Sequence, residues 1–299
     1  MSADPRPREI LVVKRRPGLP YSKGLMAQSM MAAGLAPARS YELAREIEDR
    51  LTQLGENEVP VAELHRLAER VLGEEEGDRA VARFRQWHQL DRAERPLIVL
   101  IGGATGTGKS TLASLLAHRL GINRVAATDM VRQVLRACFD EQFMPAVHSS
   151  SFEVGAAVRL RAHAHEDPDM VGFLRQVENV STGVRALLDR AIVERTPMII
   201  EGVHLVPGLV PDYGDEALIV PLVLTVGDEE RHQAHLSRRG GASARPAERY
   251  LRSFTTIRKL QAYLVSRAGE QRVPIIDNTD MDHALGELTE VVFDALEAI

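Results

Sequence analysis

The residues with the clearest chemistry are Gly103-Ala104-Thr105-Gly106-Thr107-Gly108-Lys109-Ser110, which fit G-x-x-x-x-G-K-[ST] and directly follow the apolar run Leu97-Ile98-Val99-Leu100-Ile101. Glycines at this spacing let successive backbone N–H groups converge on a phosphate, and the lysine after the last glycine reaches the β- and γ-oxygens. The next hydroxyl, Ser110, suits Mg²⁺. The expected cofactors are therefore ATP and Mg²⁺. Gly103, Thr105, Gly106, Thr107, Gly108, Lys109, Ser110 and Thr111 are the expected nucleotide contacts, with Asn278 counted among them. From Thr111 to Leu120, Leu112, Leu115, Leu116 and Leu120 recur at helical spacing, so the positive end of a helix faces the phosphates.

Phosphoryl transfer also needs a carboxylate for the acceptor and cations for the equatorial oxygens. Asp129, Arg132 and Arg136 lie at i, i+3 and i+7 after a strand candidate, on one face of the following helix. Asp129 is the expected acceptor base; an ordinary helix N-cap is the alternative, and the two are compatible. Ile199-Ile200-Glu201-Gly202 ends an apolar strand in a lone acid, the position of a Walker-B carboxylate, so Ser110 and Glu201 are the expected Mg²⁺ residues. Arg231, Arg238 and Arg239 precede Gly240-Gly241-Ala242-Ser243, and Arg245, Arg249 and Arg252 follow. Arginines hinged by glycines read as a lid, with Arg238 and Arg239 catalytic; a solvated basic helix has the same pattern. The cluster His163-Ala164-His165-Glu166 has metal-ligand types, but neighbouring side chains on a helix end diverge, and a polar connection fits better.

Strand candidates at Leu97–Gly102, Arg124–Thr128, Met198–Glu201, Leu218–Val226 and Val273–Asp277 alternate with helices, which implies an α/β fold with a parallel sheet flanked by helices. Before them, a short strand at Glu9–Arg16 and helices at Lys23–Ala33, Pro37–Leu54, Val61–Leu72 and Gly77–Leu90 form a small, mostly helical domain. The charged linker Asp91–Pro96 sets the expected boundary: residues 1–92 and 93–299. Among the 299 residues, 37 Lys and Arg against 42 Asp and Glu give a net charge of −5, which argues against a nucleic-acid or anionic-membrane partner. The single cysteine, Cys138, excludes an intrachain disulfide and reads as a small buried helix residue. With no apolar leader after Met1 and no membrane-length apolar run, a cytoplasmic location is expected, and homo-oligomerisation is left open.

Val12-Val13-Lys14-Arg15, then Pro20-Tyr21-Ser22-Lys23 and Leu25-Met26 ahead of helices, resemble the ATP-cone, a nucleotide-binding regulatory module, over residues 8 to 90. The resemblance implies phosphate contacts for Lys14, Arg15 and Lys23, although Pro17-Gly18 stands where that module has an Asp-Gly turn. Farther on, the phosphate loop, Thr128-Asp129-Met130-Val131-Arg132, Pro145-Ala146-Val147-His148-Ser149-Ser150-Ser151, Glu201-Gly202-Val203-His204-Leu205-Val206-Pro207, Arg249-Tyr250-Leu251 and Ile257–Tyr263 resemble the 2-phosphoglycerate kinases. That resemblance implies a small anionic acceptor, phosphorylated on its hydroxyl by ATP to give 2,3-bisphosphoglycerate. Asp129, Arg132, Arg136, His148, Ser149 and His204 are the residues expected to hold it. Another polyol or inositol phosphate, a nucleotide sugar as for the zeta toxins, and a non-catalytic ATP-responsive switch stay open as alternatives.

Overall fold

The computed structural model describes residues 10–13, 19–55, 58–90, 95–157, 167–242 and 247–297, without the side chains of 89–90 and 239–242. Lys14, Arg15, the Pro17-Gly18 turn, His163, His165 and Arg245 fall outside the described residues, as does the side chain of Arg239. Two compact units emerge: residues 1–92 with Arg119–Gly121, and residues 93–118 with 122–299.

In the first unit, strands β1 (Leu11–Val13) and β2 (Leu19–Pro20) precede helices α1 (Lys23–Ala32) and α2 (Pro37–Leu54). Strand β3 (Glu58–Pro60) leads into α3 (Val61–Glu75) and α4 (Asp78–Leu90). β1 pairs antiparallel with β2 and parallel with β3, a small sheet that the sequence pattern did not announce. The expected apolar stripe of α2 is partly realised: Leu43, Ile47 and Leu51 are buried with Met30, Leu67, Val71 and Phe84, whereas Leu54 is exposed. Burying such a stripe, at about 25 cal/mol per Å² of apolar surface, is what makes these helices persist.

The second unit carries five parallel strands: β4 (Leu97–Gly103), β5 (Val125–Ala127), β6 (Met198–Gly202), β7 (Leu218–Thr225) and β8 (Ile275–Asp277). Their order across the sheet is β5-β6-β4-β7-β8. The connecting helices are α5 (Lys109–Leu120), α6 (Thr128–Cys138), α7 (Val154–Ala157), α8 (Pro168–Val193), α9 (Glu229–Ala242), α10 (Ala247–Arg252) and α11 (Phe254–Gln271), with α12 (Met281–Glu297) last. Every residue of β4 is buried, as a central strand covered on both faces requires. Ile98, Leu100 and Ile200 pack against Val180, Val184 and Leu188 of α8, and Val223 joins Ile257, Leu260 and Leu264 of α11. Pro221 is tolerated inside β7 because pairing to β8 begins only at Val223, whose N–H bonds Pro274 O at 2.9 Å; the missing donor of Pro221 faces an unpaired edge.

Two expectations need correction. The pair Gly240-Gly241 lies within α9, which continues to Ala242, so these glycines are helical and do not begin a hinge; helix-interior glycine costs only about 1 kcal/mol each and is tolerated. Cys138, at the end of α6, is exposed. Among the described residues, no helix is long and apolar enough to cross a membrane.

Candidate active site

The phosphate loop leaves β4 and enters α5 as its spacing demands. Gly108 has φ +83°, and a Cβ there would lie 2.2 Å from Asn278 Nδ2, so only glycine fits. Asn278, buried after β8, donates from Nδ2 to Thr107 O at 2.9 Å and ties the far strand to the loop. The Thr107 hydroxyl donates to Ala104 O at 3.0 Å, and Lys109 Nζ to the same carbonyl at 2.6 Å. From the other side α9 grips the loop: His232 Nε2 lies 2.8 Å from Thr105 O, and His235 Nδ1 3.3 Å from Gly106 O. Burial pushes the His232 ring below its ordinary range, so it is neutral and donates. Neither histidine was singled out in the sequence, because nothing local to α9 marks it as a partner of the loop. Beside the loop opens a cleft of about 450 Å³, lined further by Thr111, Arg238, Asn278 and Met281.

The two residues expected at the cation meet. Ser110, in the first turn of α5, donates from Oγ to Glu201 Oε1 at 2.8 Å, although 91 positions separate them. The register explains this, because Glu201 pairs with Ile101 of β4 and with Ala127 of β5, at the carboxyl ends of both strands. A hydroxyl and a carboxylate side by side are the hard oxygen donors that Mg²⁺ prefers. Among the described residues no three His, Cys, Asp or Glu side chains converge on a metal position. One hydroxyl and one carboxylate fit an ion held by one or two protein oxygens with substrate phosphates and water.

On the other side of Glu201 lies the expected acceptor side. Asp129 sits in the first turn of α6, whose N-cap is Ala127, so the carboxylate is not the cap. It is half exposed, and Arg132 Nε approaches it at 3.3 Å. Burial pushes this carboxyl up, but the His204 ring, charged only at the acidic pH where this carboxyl itself titrates, and the cations Arg132 and Lys109 outweigh it, and the group titrates below the usual carboxylate range. Arg136 is exposed on the same helix. Arg132 itself is buried and gives its NH1 to Val147 O at 3.0 Å and Ser149 O at 3.1 Å. His148 Nε2 lies 2.9 Å from Phe139 O, and Ser149 is half buried.

His204 is also buried, with Nδ1 2.7 Å from the Thr128 hydroxyl and Nε2 3.0 Å from Gln176 Oε1. Both ring nitrogens of this expected acceptor ligand are thus taken up by protein groups. Arg249, read from sequence as a lid arginine, binds the carboxylate of Glu153 and reaches Ser150 Oγ at 3.0 Å, joining α10 to the segment around Ser150. Gln176 had no sequence signal at all: it is one buried glutamine inside the long helix α8.

A phosphate loop after the first strand of this sheet, with a strand-end acid beside it and a second carboxylate in the helix that follows the neighbouring strand, defines a P-loop phosphotransferase of the kinase type. Comparison with known proteins narrows the class. Residues 11–93 match the ATP cone domain. A 2-phosphoglycerate kinase of Methanococcus maripaludis is 35% identical over 98% of this chain and 95% of its own. Those of Methanopyrus kandleri (38% identical, 95% and 87% covered) and Thermococcus kodakarensis (35% identical, 95% and 96% covered) are similar along nearly the whole length. The chain belongs to the 2-phosphoglycerate kinase family.

Proposed function

We propose that the chain transfers the terminal phosphoryl group of ATP to the free hydroxyl of 2-phosphoglycerate, giving 2,3-bisphosphoglycerate and ADP. The observation that carries this reading is the Ser110–Glu201 contact at the phosphate loop, with the Asp129 carboxylate opening beside it. Relatives named for this reaction along the full length support the choice of acceptor.

Ser110 and Glu201 are the residues that would hold Mg²⁺, which when bound neutralises charge on the β- and γ-oxygens. The loop N–H groups and Lys109 hold the triphosphate, and Arg238 meets the transferring group, a role supported by its position on the wall of the cleft. Asp129 accepts a hydrogen bond from the acceptor hydroxyl and orients its oxygen toward the γ-phosphorus. As the new P–O bond forms and the bond to the β-phosphate oxygen breaks, the hydroxyl proton passes to Asp129. A carboxyl titrating low is ionised and ready at neutral pH but is a weak base, which suits a loose transition state in which the proton leaves late. Arg132 ties that carboxylate to Ser149 O, and the His148-Ser149 segment with the exposed Arg136 of the same helix supplies charge-assisted hydrogen bonds for the acceptor's anionic groups. Steady-state assay with 2-phosphoglycerate, 3-phosphoglycerate and inositol phosphates tests the assignment. Turnover confined to 2-phosphoglycerate is expected, and preference for any other acceptor overturns it.

A second nucleotide site fits the first unit. There an apolar cavity of about 470 Å³ is lined by Val12, Tyr21, Leu25, Met26 and the His65 and His88 rings, which stack on each other with centroids 4.1 Å apart and offer the cavity an aromatic wall for a flat base. Lys23, one expected phosphate contact, pairs with Glu48 at 3.0 Å. Calorimetry on the full chain with Lys109→Ala should leave one nucleotide bound per chain; none bound would remove the second site.

A further inference from the structure

His204 has no opening to a substrate, yet it is tied into a continuous chain of buried polar groups, and the donors and acceptors along that chain can be read without ambiguity. Gln176 Nε2 faces two backbone carbonyls, Ala146 O and Ser149 O, and must donate to both. Its Oε1 is therefore the atom turned to His204 Nε2, and an amide oxygen only accepts, so Nε2 carries the proton. Nδ1 is then the bare nitrogen and accepts from the Thr128 hydroxyl. One hydrogen-bonded line thus runs from the first residue of α6, through the imidazole, to the carbonyls of the 145–149 segment.

An independent feature serves the same line. Thr128 follows Ala127, which pairs with Glu201, so its side chain crosses over Gly202. A Cβ at position 202, where φ is +153°, would lie 1.8 Å from Thr128 Oγ1. Glycine there is what lets the hydroxyl reach the ring. Glu201 thus turns to Ser110, while Gly202 and His204 face Thr128, so one strand end addresses both halves of the site.

Resting on the reading of Asp129 and the 145–149 segment as the acceptor side, we propose that His204 is a positioning residue: through Thr128 and Gln176 it holds the first turn of α6, with Asp129, in register with the loop that receives the acceptor. It acts on the acceptor only through these partners. Arg132 reinforces the arrangement, because it shares Ser149 O with Gln176 and also reaches Asp129.

The tautomer can be read from the wild-type protein by ¹⁵N NMR of the imidazole, assigned by its disappearance in His204→Asn. A neutral ring protonated on Nε2 is expected at pH 7; a ring protonated on Nδ1, or an imidazolium, overturns the proposal. Kinetics give the second arm. Thr128→Val is nearly isosteric, removes the hydroxyl and leaves Nδ1 bare, and should raise the acceptor KM about tenfold while the ATP KM changes less than about twofold. His204→Asn should do the same, the double variant should lose no more than the worse single variant, and Thr128→Ser should lose less than Thr128→Val. An acceptor KM raised by His204→Asn but untouched by Thr128→Val would put the ring on the acceptor directly and defeat the idea, as would equal rises in both KM values. If the wild type fails to use 2-phosphoglycerate, the proposed reaction falls, while the NMR arm still decides the state of the ring.

Discussion

The two halves of the proposed active site are built from different materials. The nucleotide half is backbone: loop amides and carbonyls held by Lys109, Asn278, His232 and His235, which fasten a segment whose shape is already set by its glycines. The proposed acceptor half is side chain: Arg132, Gln176 and Arg249, from three separate helices, hold a short loop by its carbonyls and its Ser150 hydroxyl, and His204 braces Gln176. A backbone cradle recognises what all triphosphates share, and its geometry is fixed by local sequence. A loop strung between side chains can be re-aimed by single substitutions, so on the proposed reading acceptor specificity is expected in that half.

The largest effects should come from residues that act on the reacting atoms, and they should separate the halves. Lys109→Ala is expected to lower kcat/KM at least about 1,000-fold, by analogy with other cations on the transferring phosphoryl group. Asp129→Asn keeps size and much of the hydrogen bonding but cannot take the proton, and should lower kcat by about 100- to 10,000-fold. Its ATP affinity, measured by calorimetry, should stay close to that of the wild type. Equal turnover in Asp129→Asn and wild type would remove that carboxylate from the reaction, and a matching loss of ATP affinity would erase the distinction between the halves.

The same contrast explains what could be read from sequence. The strand, loop and helix around Lys109 are contiguous, so spacing alone locates them, and Glu201 stands out as a lone acid closing the apolar run Met198-Ile199-Ile200. The helices of the first unit are legible for the same reason, whereas β2 and β3, with two and three residues, are too short for any periodicity to register. Burial of a polar side chain has no local signature. Thr128 and His204 are 76 positions apart, and His204 and Gln176 are 28, so only the folded register brings them together. Arg132 and His204 look from sequence like ligands for an anion because their types suit one; the structure turns their polar atoms to protein partners. Gly240-Gly241 looked like a hinge because glycine lowers helix propensity, but propensity is a weak prior inside a docked helix.

Buried side chains in the acceptor half should make its folding energetics sensitive to pH in a way a backbone cradle is not. Burial pushes the His204 ring down to about 4 from the ordinary 6.5 that it regains on unfolding. Between those values the unfolded chain binds a proton that the native ring excludes, so this contribution to stability is complete above about pH 6.5 and is lost as the pH falls toward 4. The span corresponds to about 3 kcal/mol. Urea midpoints measured from pH 7 to 4.5 should fall more steeply for the wild type than for His204→Asn. Parallel curves would mean that the ring is not held neutral.

The smallest effect, and the sharpest test of separateness, comes from Asn278. It is 2% exposed and its amide is the far-side support of the Thr107 carbonyl, at 2.9 Å. Truncation in Asn278→Ala leaves that carbonyl buried without its donor, a change that costs about 1–3 kcal/mol in protein interiors. Part of that loss is offset, because among the described residues the buried Asn278 Oδ1 has no hydrogen-bond partner, and it is removed with the amide. The net effect therefore falls near the lower end, about a fivefold rise in the KM for ATP. Space opened beside Gly108, whose tight approach to Asn278 Nδ2 fixes the loop's course, adds to the effect in the same direction. None of these contacts reaches Asp129, Gln176 or the 145–149 segment, so the acceptor KM, measured at saturating ATP, should be unchanged. A rise in the acceptor KM equal to that for ATP would show that the backbone cradle and the side-chain-held loop move as one body.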